Sequence, residues 1–454
     1  MKNPINTASN KRTLAISGFI LLEALLYTVV RWPDNPYIRP VLLFGSSLAV
    51  GIFAVSFSSR ARLETVNHRY AGAKKSGTVW RIGIALIAIA AIGMLLGNIF
   101  GNHPIYQDDP MKTGSDVMPQ IMFFCDRFIA GSYPYQPISG PKWGYTLQPT
   151  YMPLQWLPFV PARLLRMELR WVPYCAFCVA FLYHLRKIEK SPAQVSSKWL
   201  AWALSMLLFL SYFLIRKKEF ANTFEALATS YYIFLGYALL NRNTLWTTIF
   251  LAACMLSRYS LALWLPVAFF VFWQSKGIKN AVLLVLGVAV LFALAYGPFL
   301  LKNPKIYINA YQYYTQATLG EWTMSGWQPA EDKLPFWLKQ GNGLASWFYR
   351  NEADKGRSIG LLKNFQVISC LATTLFSTIY YWKNKNKLDT GIFLLGSLKV
   401  YLAFFYAFVQ IPYDYLYFLP LFFDLPIIIY NGYSVNRQRP QRSTLKQINE
   451  RHKF

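Results

Sequence analysis

Charged residues are scarce in this chain, since Asp, Glu, Lys and Arg together make up only 15% of its 454 residues. Soluble globular domains typically carry about 25%. A charged fraction this low, combined with 54% apolar residues, excludes an ordinary soluble protein. Apolar runs of roughly 18 to 22 residues recur along the chain, which is the length that crosses the hydrocarbon core of a bilayer at about 1.5 Å per residue. The sequence therefore predicts an all-α polytopic membrane protein.

Cysteine is also scarce, and the five that are present fit no disulfide framework. Cys175 and Cys178 have a spacing found in zinc sites, but no second pair of ligands lies nearby in the sequence. Two small residues on a helix face is therefore the favoured interpretation. The sequence also shows no glycine-rich phosphate loop between a strand and a helix. A substrate that is carried in the membrane fits this chain better than a nucleotide.

Acidic residues are few, with 20 Asp and Glu against 46 Lys and Arg, and the net charge is +26. Such an excess of positive charge would suit nucleic acid. However, the basic residues lie in short connectors between apolar runs, where the positive-inside rule places them on the cytoplasmic side. We therefore expect no nucleic-acid partner and expect both termini in the cytoplasm.

The charge pattern also predicts how the chain is organised. We expect two additional N-terminal spans with a basic cytoplasmic loop (1–80), a core (81–301) with a first outside loop (102–170), a second outside loop (302–360), C-terminal spans (361–436) and a basic cytoplasmic tail (437–454). About ten full spans are expected. The apolar run 245–273 is too long for one span and too short for two at about 1.5 Å per residue. We expect a broken helix there, with its two parts meeting at Arg258.

The first outside loop holds four acidic candidates in the stretch 108–161, which is rich in Tyr, Trp, Gly and Pro. Asp108 and Asp109 form a pair that either binds a divalent cation or solvates the start of the loop. Asp126 is followed directly by Arg127, which favours a surface ion pair between them.

Asp116 follows Gly-Ser and precedes an apolar, helix-like run. A carboxylate in this position is a candidate general base for an acceptor hydroxyl. Alternatively, Ser115 or Asp116 simply caps the helix that follows.

Ionisable residues within apolar runs cost about 2.5–3.5 kcal/mol each, so each one needs a reason. Lys399 and Asp424 lie in consecutive spans at similar depth, which predicts a buried ion pair. Glu23 in the first span is interpreted as a packing or protein-interface residue.

Arg258 is expected roughly 21 Å across a 30 Å core, just beneath the outer surface. Helix ends and a guanidinium together suit a phosphate, and the alternative is a structural cation satisfied by backbone carbonyls.

Arg216, Lys217 and Lys218 are expected outside, against the positive-inside rule. Three adjacent exceptions suggest an anion held at the membrane surface. A solvated interfacial anchor is the alternative.

Short motifs in this sequence resemble the C-type glycosyltransferase superfamily, and most of all the bacterial mannosyltransferases that use polyprenyl-phosphate-mannose. The likeness covers most of 82–430. Its first part is carried by Asp116, Gly131, Pro134, Tyr135, Tyr151, Pro153, Leu154 and Pro158.

Three further patches resemble the same family. Asn222 falls where the family tends to have Gly-Gln-x-Asn, although the Gly and Gln are absent here. Arg258 stands where the family usually has a Lys in a broken helix. Pro412 and Asp414 match a Ser-Pro-x-x-Trp-Asp-His-His stretch, in which Tyr415 replaces a His.

The resemblance implies a fold of the superfamily type, with two large extracytoplasmic loops, in the bacterial inner membrane. It implies transfer of mannose or another hexose from a polyprenyl-phosphate donor to a hydroxyl of a lipid-linked or cell-envelope glycan. Inverting displacement with Asp116 as the base is the implied mechanism. No cofactor is required, and a divalent cation is possible at Asp108 and Asp109. The expected donor-phosphate residues are Arg258, Arg216, Lys217 and Lys218, and the expected sugar or acceptor residues are Tyr135, Tyr151, Asn222, Asp414 and Tyr415.

Two functions from other classes stay open at this point. A transporter or flippase for a lipid-linked or polar solute would use the same buried cations along a pathway. A scaffold subunit would have kept the fold and lost the activity.

Overall fold

Helices dominate the structure. The computed structural model describes residues 4–29, 35–56, 78–140, 142–191, 195–323, 334–349 and 354–434. Within these ranges no β-strand forms, and an isolated β-bridge joins Ile138 to Leu147. The predicted all-α class is confirmed. Most of the predicted basic loop before residue 80 falls on residues 57–77, which lie outside the described residues, as does the predicted basic tail 437–454.

Twenty α-helices follow one another in the described ranges. The first half of the chain forms α1 (Pro4–Thr28), α2 (Ile38–Ser56), α3 (Thr78–Asn102), α4 (Pro110–Thr113), α5 (Val117–Ile129), α6 (Pro153–Trp156), α7 (Val160–Leu164), α8 (Trp171–Lys190), α9 (Val195–Ile215) and α10 (Lys217–Asn222). The second half forms α11 (Glu225–Leu240), α12 (Thr244–Ser257), α13 (Leu265–Lys276), α14 (Ile278–Lys302), α15 (Ile306–Thr323), α16 (Phe336–Gln340), α17 (Lys355–Asn384), α18 (Thr390–Ala407), α19 (Phe418–Phe422) and α20 (Asp424–Ser434).

Six of these helices are long and apolar enough to cross a membrane. They are Ile38–Ser56, Thr78–Asn102, Ser196–Ile215, Ile278–Lys302, Lys355–Asn384 and Thr390–Ala407, and shorter apolar helices run over Leu14–Thr28 and Thr244–Ser257. The apolar stretch of α18 is 83% buried, whereas those of α3 and α14 are only 17% and 22% buried. The helix α18 is therefore central, while α3 and α14 face outward along most of their length. The larger number of spans expected from the sequence stays a prediction.

Two glycines let the N-terminal helix α2 approach the central α18 closely. A Cβ atom added to Gly51 would lie 2.8 Å from the backbone nitrogen of Val400, and one added to Gly396 would lie 2.8 Å from that of Val55. Small residues allow such backbone contact between membrane helices, where dispersion rather than the hydrophobic effect drives packing. The two helices expected as additions to the core are thus packed into it.

The helix that includes Arg258 is broken, as the sequence predicts. The helix α12 ends at Ser257, Arg258 adopts an extended conformation with φ −154° and ψ 124°, and a 3₁₀ turn over Tyr259–Trp264 leads into α13. A second interruption was not expected. The last of the expected C-terminal spans divides into a 3₁₀ turn over Asp414–Tyr417, α19 and α20.

Lys399 lies at the centre of a fully buried charged triad. Its ammonium is 2.8 Å from Oδ1 of Asp424 and 3.0 Å from Oε1 of Glu23, and all three residues are completely buried. It also donates to the carbonyl of Pro420 (2.7 Å), and the hydroxyl of Tyr417 donates to Glu23 (2.9 Å). The predicted pair of Lys399 with Asp424 is confirmed. The partner role of Glu23 was not expected from the sequence.

The connectors meet at two opposite ends of the bundle. At one end the loop before α5 contacts α10, since the hydroxyl of Ser115 donates to the carbonyl of Asn222 (3.1 Å). At the other end Arg81 forms a bidentate ion pair with Glu189 at 2.5 and 2.7 Å. The first of these ends gathers the residues that the sequence singles out as functional.

Candidate functional site

The carboxylate of Asp116 does not cap α5, because Ser115 takes that role. The hydroxyl of Ser115 accepts a hydrogen bond from the backbone N–H of Val117 (3.2 Å), whereas the side chain of Asp116 makes no capping bond. Of the two capping alternatives, only Ser115 therefore holds. The same Ser115 contact with the carbonyl of Asn222 places the predicted acceptor residue Asn222 beside Asp116.

Asp116 is half-buried and has a neutral hydrogen-bond donor beside it. The hydroxyl of Tyr145 donates to its Oδ2 at 3.2 Å. Burial raises the pKa of the Asp116 carboxyl above its usual value, while hydrogen bonds from Tyr145 and Gln120 act in the opposite direction. A carboxylate with a raised pKa is a stronger base than an exposed aspartate. Tyr145 was not identified from the sequence, where it is one of many loop tyrosines.

Arg258 is held by a buried carboxylate that the sequence analysis missed. Its guanidinium forms an ion pair with Glu225, whose side chain is 1% exposed, while that of Arg258 is 21% exposed. The guanidinium also lies over the ring of Phe224, 5.3 Å from the ring centre. Arg258 is therefore paired with the carboxylate of Glu225, rather than with backbone carbonyls as the alternative interpretation had it. An acidic residue at the start of an apolar run was the available signal.

Two tyrosines respond to both Asp116 and Arg258. Burial raises the pKa of Tyr151, the charge of Asp116 raises it further, and the charge of Arg258 lowers it. Burial likewise raises the pKa of Tyr415, with Arg258 lowering it and Asp116 raising it. Asp116 and Arg258 therefore influence the same two tyrosine side chains. Ser115, the residue before Asp116, also bonds to the carbonyl of Asn222, two residues before the Phe224 ring that lies beneath Arg258.

Aromatic rings connect this region to the rest of the loop. Tyr151 packs edge-on against Phe224 at 5.3 Å between ring centres, and Phe224 is the ring beneath Arg258. Tyr135 lies deeper, since it is 5% exposed and its hydroxyl accepts a hydrogen bond from Trp156 (3.2 Å). Of the tyrosines predicted to bind sugar or acceptor, Tyr151 thus lies against the ring beneath Arg258, whereas Tyr135 lies in the aromatic packing behind it.

Arg216 and Asp414 join three elements at this end of the bundle. The guanidinium of Arg216 is 2.9 Å from Glu219, 3.2 Å from Asp414 and 2.7 Å from the carbonyl of Tyr27. The side chain of Arg216 is 1% exposed. These contacts link α1, α10 and the Asp414–Tyr417 turn. The expected roles of Arg216 and Asp414 in binding donor and acceptor stay predictions.

The two lysines that follow Arg216 lie on the short helix α10. Lys217 is half-buried and Lys218 is exposed. This helix has six residues and ends at Asn222. Only Lys217 and Lys218 of the expected basic triplet therefore remain accessible to an anion.

Asp126, another acidic residue of the loop, has a structural partner. The Asp126 carboxylate accepts two hydrogen bonds from Arg163, at 2.6 and 2.8 Å. The expected pair of Asp126 with Arg127 is wrong, because consecutive residues of a helix do not face each other. Arg127 donates instead to the backbone carbonyls of Pro134 (3.3 Å) and Pro137 (2.9 Å), which folds the chain after α5 back onto that helix.

Asp109 caps the short helix α4. Its carboxylate accepts the backbone N–H of Lys112 (3.0 Å) and lies 3.7 Å from the ammonium of Lys142. In the described ranges, no group of three or more His, Cys, Asp or Glu side chains is placed to hold a metal ion. A divalent cation at Asp108 and Asp109 stays a prediction.

The segment expected to form the second outside loop adds a further carboxylate whose pKa Asp116 affects. Burial raises the pKa of Glu321 and the charge of Asp116 raises it further, while a hydrogen bond from Tyr413 lowers it. The adjacent Trp322 is fully buried and donates to the carbonyl of Gln410 (2.9 Å), which fixes this end of α15. The sequence analysis missed Glu321. The tryptophan-containing stretch 324–333 lies outside the described residues.

A cavity of about 370 Å³ lies beside the loop, against α14. Its lining is mostly apolar and includes Tyr133, Leu157, Leu294, Phe299 and Lys302. Leu294 is 70% exposed, so the cavity lies at the outward face of a helix long and apolar enough to span a membrane.

No protein-family model, curated protein or solved structure matches this chain.

Proposed function

We propose that this chain is a membrane glycosyltransferase that moves a hexose, such as mannose, from a polyprenyl-phosphate donor to a hydroxyl of a lipid-linked or cell-envelope glycan. The proposal is supported by the resemblance of the sequence motifs to those of the C-type glycosyltransferase superfamily. The observation that carries it is the packing of Tyr151 against Phe224, the ring that lies beneath Arg258, together with the hydrogen bond from Ser115, the neighbour of Asp116, to the carbonyl of Asn222. One base and one cation beside hydroxyl-bearing rings is an arrangement that suits displacement of a phosphate from a sugar.

The reaction is a single inverting displacement. Asp116 accepts the proton of the acceptor hydroxyl while the oxygen of that hydroxyl bonds to the anomeric carbon of the sugar. The bond from that carbon to the phosphate oxygen breaks, and its electron pair departs with the lipid phosphate. Burial favours the protonated form of Asp116 and so strengthens it as a base. Only one carboxylate is needed on the attacking side.

The departing phosphate gains negative charge, and Arg258 stabilises it. A guanidinium offers several N–H donors in a plane, which match phosphate oxygens. Its partial exposure leaves it reachable, and Lys217 and Lys218 on α10 add positive charge at the same end of the bundle. Preorganised donors of this kind typically contribute several kcal/mol, about 2.7–4 kcal/mol for a single donor.

The lateral cavity supports a donor that stays in the membrane. Its apolar lining suits part of a prenyl chain, and Lys302 at the end of α14 supplies a cation for an anionic headgroup. Positions along α14 such as Leu294 and Leu301 are 70% and 87% exposed, so a lipid has access to the cavity from the side.

Replacement of Asp116 tests the proposal. Purified Asp116→Asn in lipid vesicles, given a synthetic polyprenyl-phosphate hexose and a glycan acceptor, should form product about 10²–10⁴-fold more slowly than the unmodified protein. Asp354→Asn is the matched control, since Asp354 caps α17 through the N–H of Arg357 (2.9 Å) and Asn caps equally well. Activity of Asp116→Asn within a few-fold of the unmodified protein would remove Asp116 from the mechanism.

A transporter or flippase is the alternative that one observation favours. The triad of Glu23, Lys399 and Asp424 is fully buried, and ionisable residues at membrane depth often mark transport pathways. The same vesicles separate the two functions. Transport would move the labelled lipid to the opposite leaflet without forming a new glycosidic bond, whereas the proposed enzyme forms the bond.

A further inference from the structure

Glu225 has no part in the displacement described above, yet it is the residue paired with Arg258. It is the first residue of α11, and its side chain is almost fully buried. One carboxylate oxygen meets the guanidinium, and the other, Oε2, has no hydrogen-bond partner among the described residues. A buried carboxylate normally has its oxygens satisfied. This one relies on the cation and on the positive end of the helix.

The hydrogen bonding of the Arg258 guanidinium is also incomplete. Its Nε is buried without a hydrogen-bond partner in the described ranges, and 21% of its side chain is exposed. The ion pair neutralises most of the charge that a phosphate would otherwise meet. The guanidinium therefore keeps donors for an oxygen ligand but holds an anion more weakly than an unpaired arginine would.

We propose that Glu225 is the resident counter-ion of Arg258 and weakens its hold on the phosphate product. This inference rests on the proposed function. The donor is a phosphodiester with one negative charge, whereas the product is a phosphate monoester with up to two. An unpaired Arg258 would retain the more negative product, and Glu225 reclaims the guanidinium as the product leaves. Glu225 is in this sense a positioning residue that governs product release.

Binding of a short-chain polyprenyl phosphate to the purified full-length protein, measured by calorimetry, tests this inference. Glu225→Gln keeps the shape of the side chain and removes its charge, so we expect the dissociation constant to fall at least about tenfold. Glu168→Gln is the matched control, because it removes an equal charge from the Arg170 pair (2.8 Å) and should leave the constant unchanged. In multiple turnover, Glu225→Gln should slow after the first product forms, while a single turnover keeps its rate.

Affinity of Glu225→Gln equal to or weaker than that of the unmodified protein would overturn the inference. If Glu225→Gln does not fold, Glu225→Asp decides, since its shorter side chain loosens the pair and should tighten phosphate binding two- to threefold. Unchanged or weaker binding by that variant also overturns it. Arg258→Gln separates this result from the proposed function, because unchanged phosphate binding by Arg258→Gln would refute the phosphate role of Arg258 itself.

Discussion

Replacing Lys399 with methionine should destabilise the protein strongly. The ammonium of Lys399 is the cation shared by two buried carboxylates, at 2.8 Å from Asp424 and 3.0 Å from Glu23. Lys399→Met keeps most of the side-chain volume and removes the charge. Both carboxylates then lose their counter-ion, and the carbonyl of Pro420 loses the donor that lies 2.7 Å away.

The expected magnitude follows from the complete burial of all three residues. Breaking a buried ion pair by removing one partner typically costs about 3–5 kcal/mol. Two carboxylates are affected here, so the upper end, about 5 kcal/mol, is expected. With an unfolding entropy near 2.1 cal/mol/K per residue, a chain of 454 residues loses about 1 °C of melting temperature per kcal/mol. The expected decrease is therefore roughly 5 °C.

The measurement is a thermal unfolding curve in detergent with a thiol-reactive dye. Cys125, Cys178, Cys254 and Cys370 are buried, so the dye reports their exposure, and Cys175, which is exposed, is replaced by alanine in every variant. Lys279→Met is the control, because Lys279 is exposed at the start of α14.

A triple variant checks that the loss comes from uncompensated charge. Lys399→Met combined with Glu23→Gln and Asp424→Asn leaves no charge in the triad. Replacing a whole buried ionic group by neutral residues is often close to neutral for stability. We expect the triple variant to recover most of the lost melting temperature. A single Lys399→Met variant as stable as the Lys279→Met control would refute the reasoning.

Two further predictions concern the candidate site. The acid limb of the pH–rate profile should lie above the usual aspartate range, because the raised pKa of Asp116 leaves the base protonated at a higher pH. Tyr145→Phe removes a hydrogen bond that stabilises the carboxylate, so this limb should move upward by about one pH unit. If the acid limb of the kcat/KM profile does not move in Tyr145→Phe, Tyr145 has no effect on the ionisation of Asp116. Leu294→Trp should fill part of the cavity of about 370 Å³. Steady-state kinetics should then show a KM for the lipid donor that is several-fold higher, with little change in kcat. An unchanged KM would exclude the cavity as the site of the prenyl chain.

Much of the architecture follows from local sequence. Apolar runs of membrane length predicted the helices. The apolar run 245–273, which is too long for one span, predicted the helix break that the structure has at Arg258. Lys399 and Asp424 were matched by depth along consecutive helices, and the structure pairs them. Asp116 was nominated by the family resemblance, and its position before a helix-like run gave the capping alternative; the structure shows that Ser115 rather than Asp116 caps that helix.

The partners of these residues were determined by tertiary packing alone. Glu23 is separated from Lys399 by 376 residues, and Tyr145 reaches Asp116 from 29 residues away across a loop. Glu225 meets Arg258 because α11 begins at the side of the bundle where α12 ends. Hydrophobic runs specify that helices form and how long they are, because backbone hydrogen bonds within a helix are local. They do not specify which helices become neighbours, since this depends on close contacts such as those at Gly51 and Gly396, which exist only after the chain has packed.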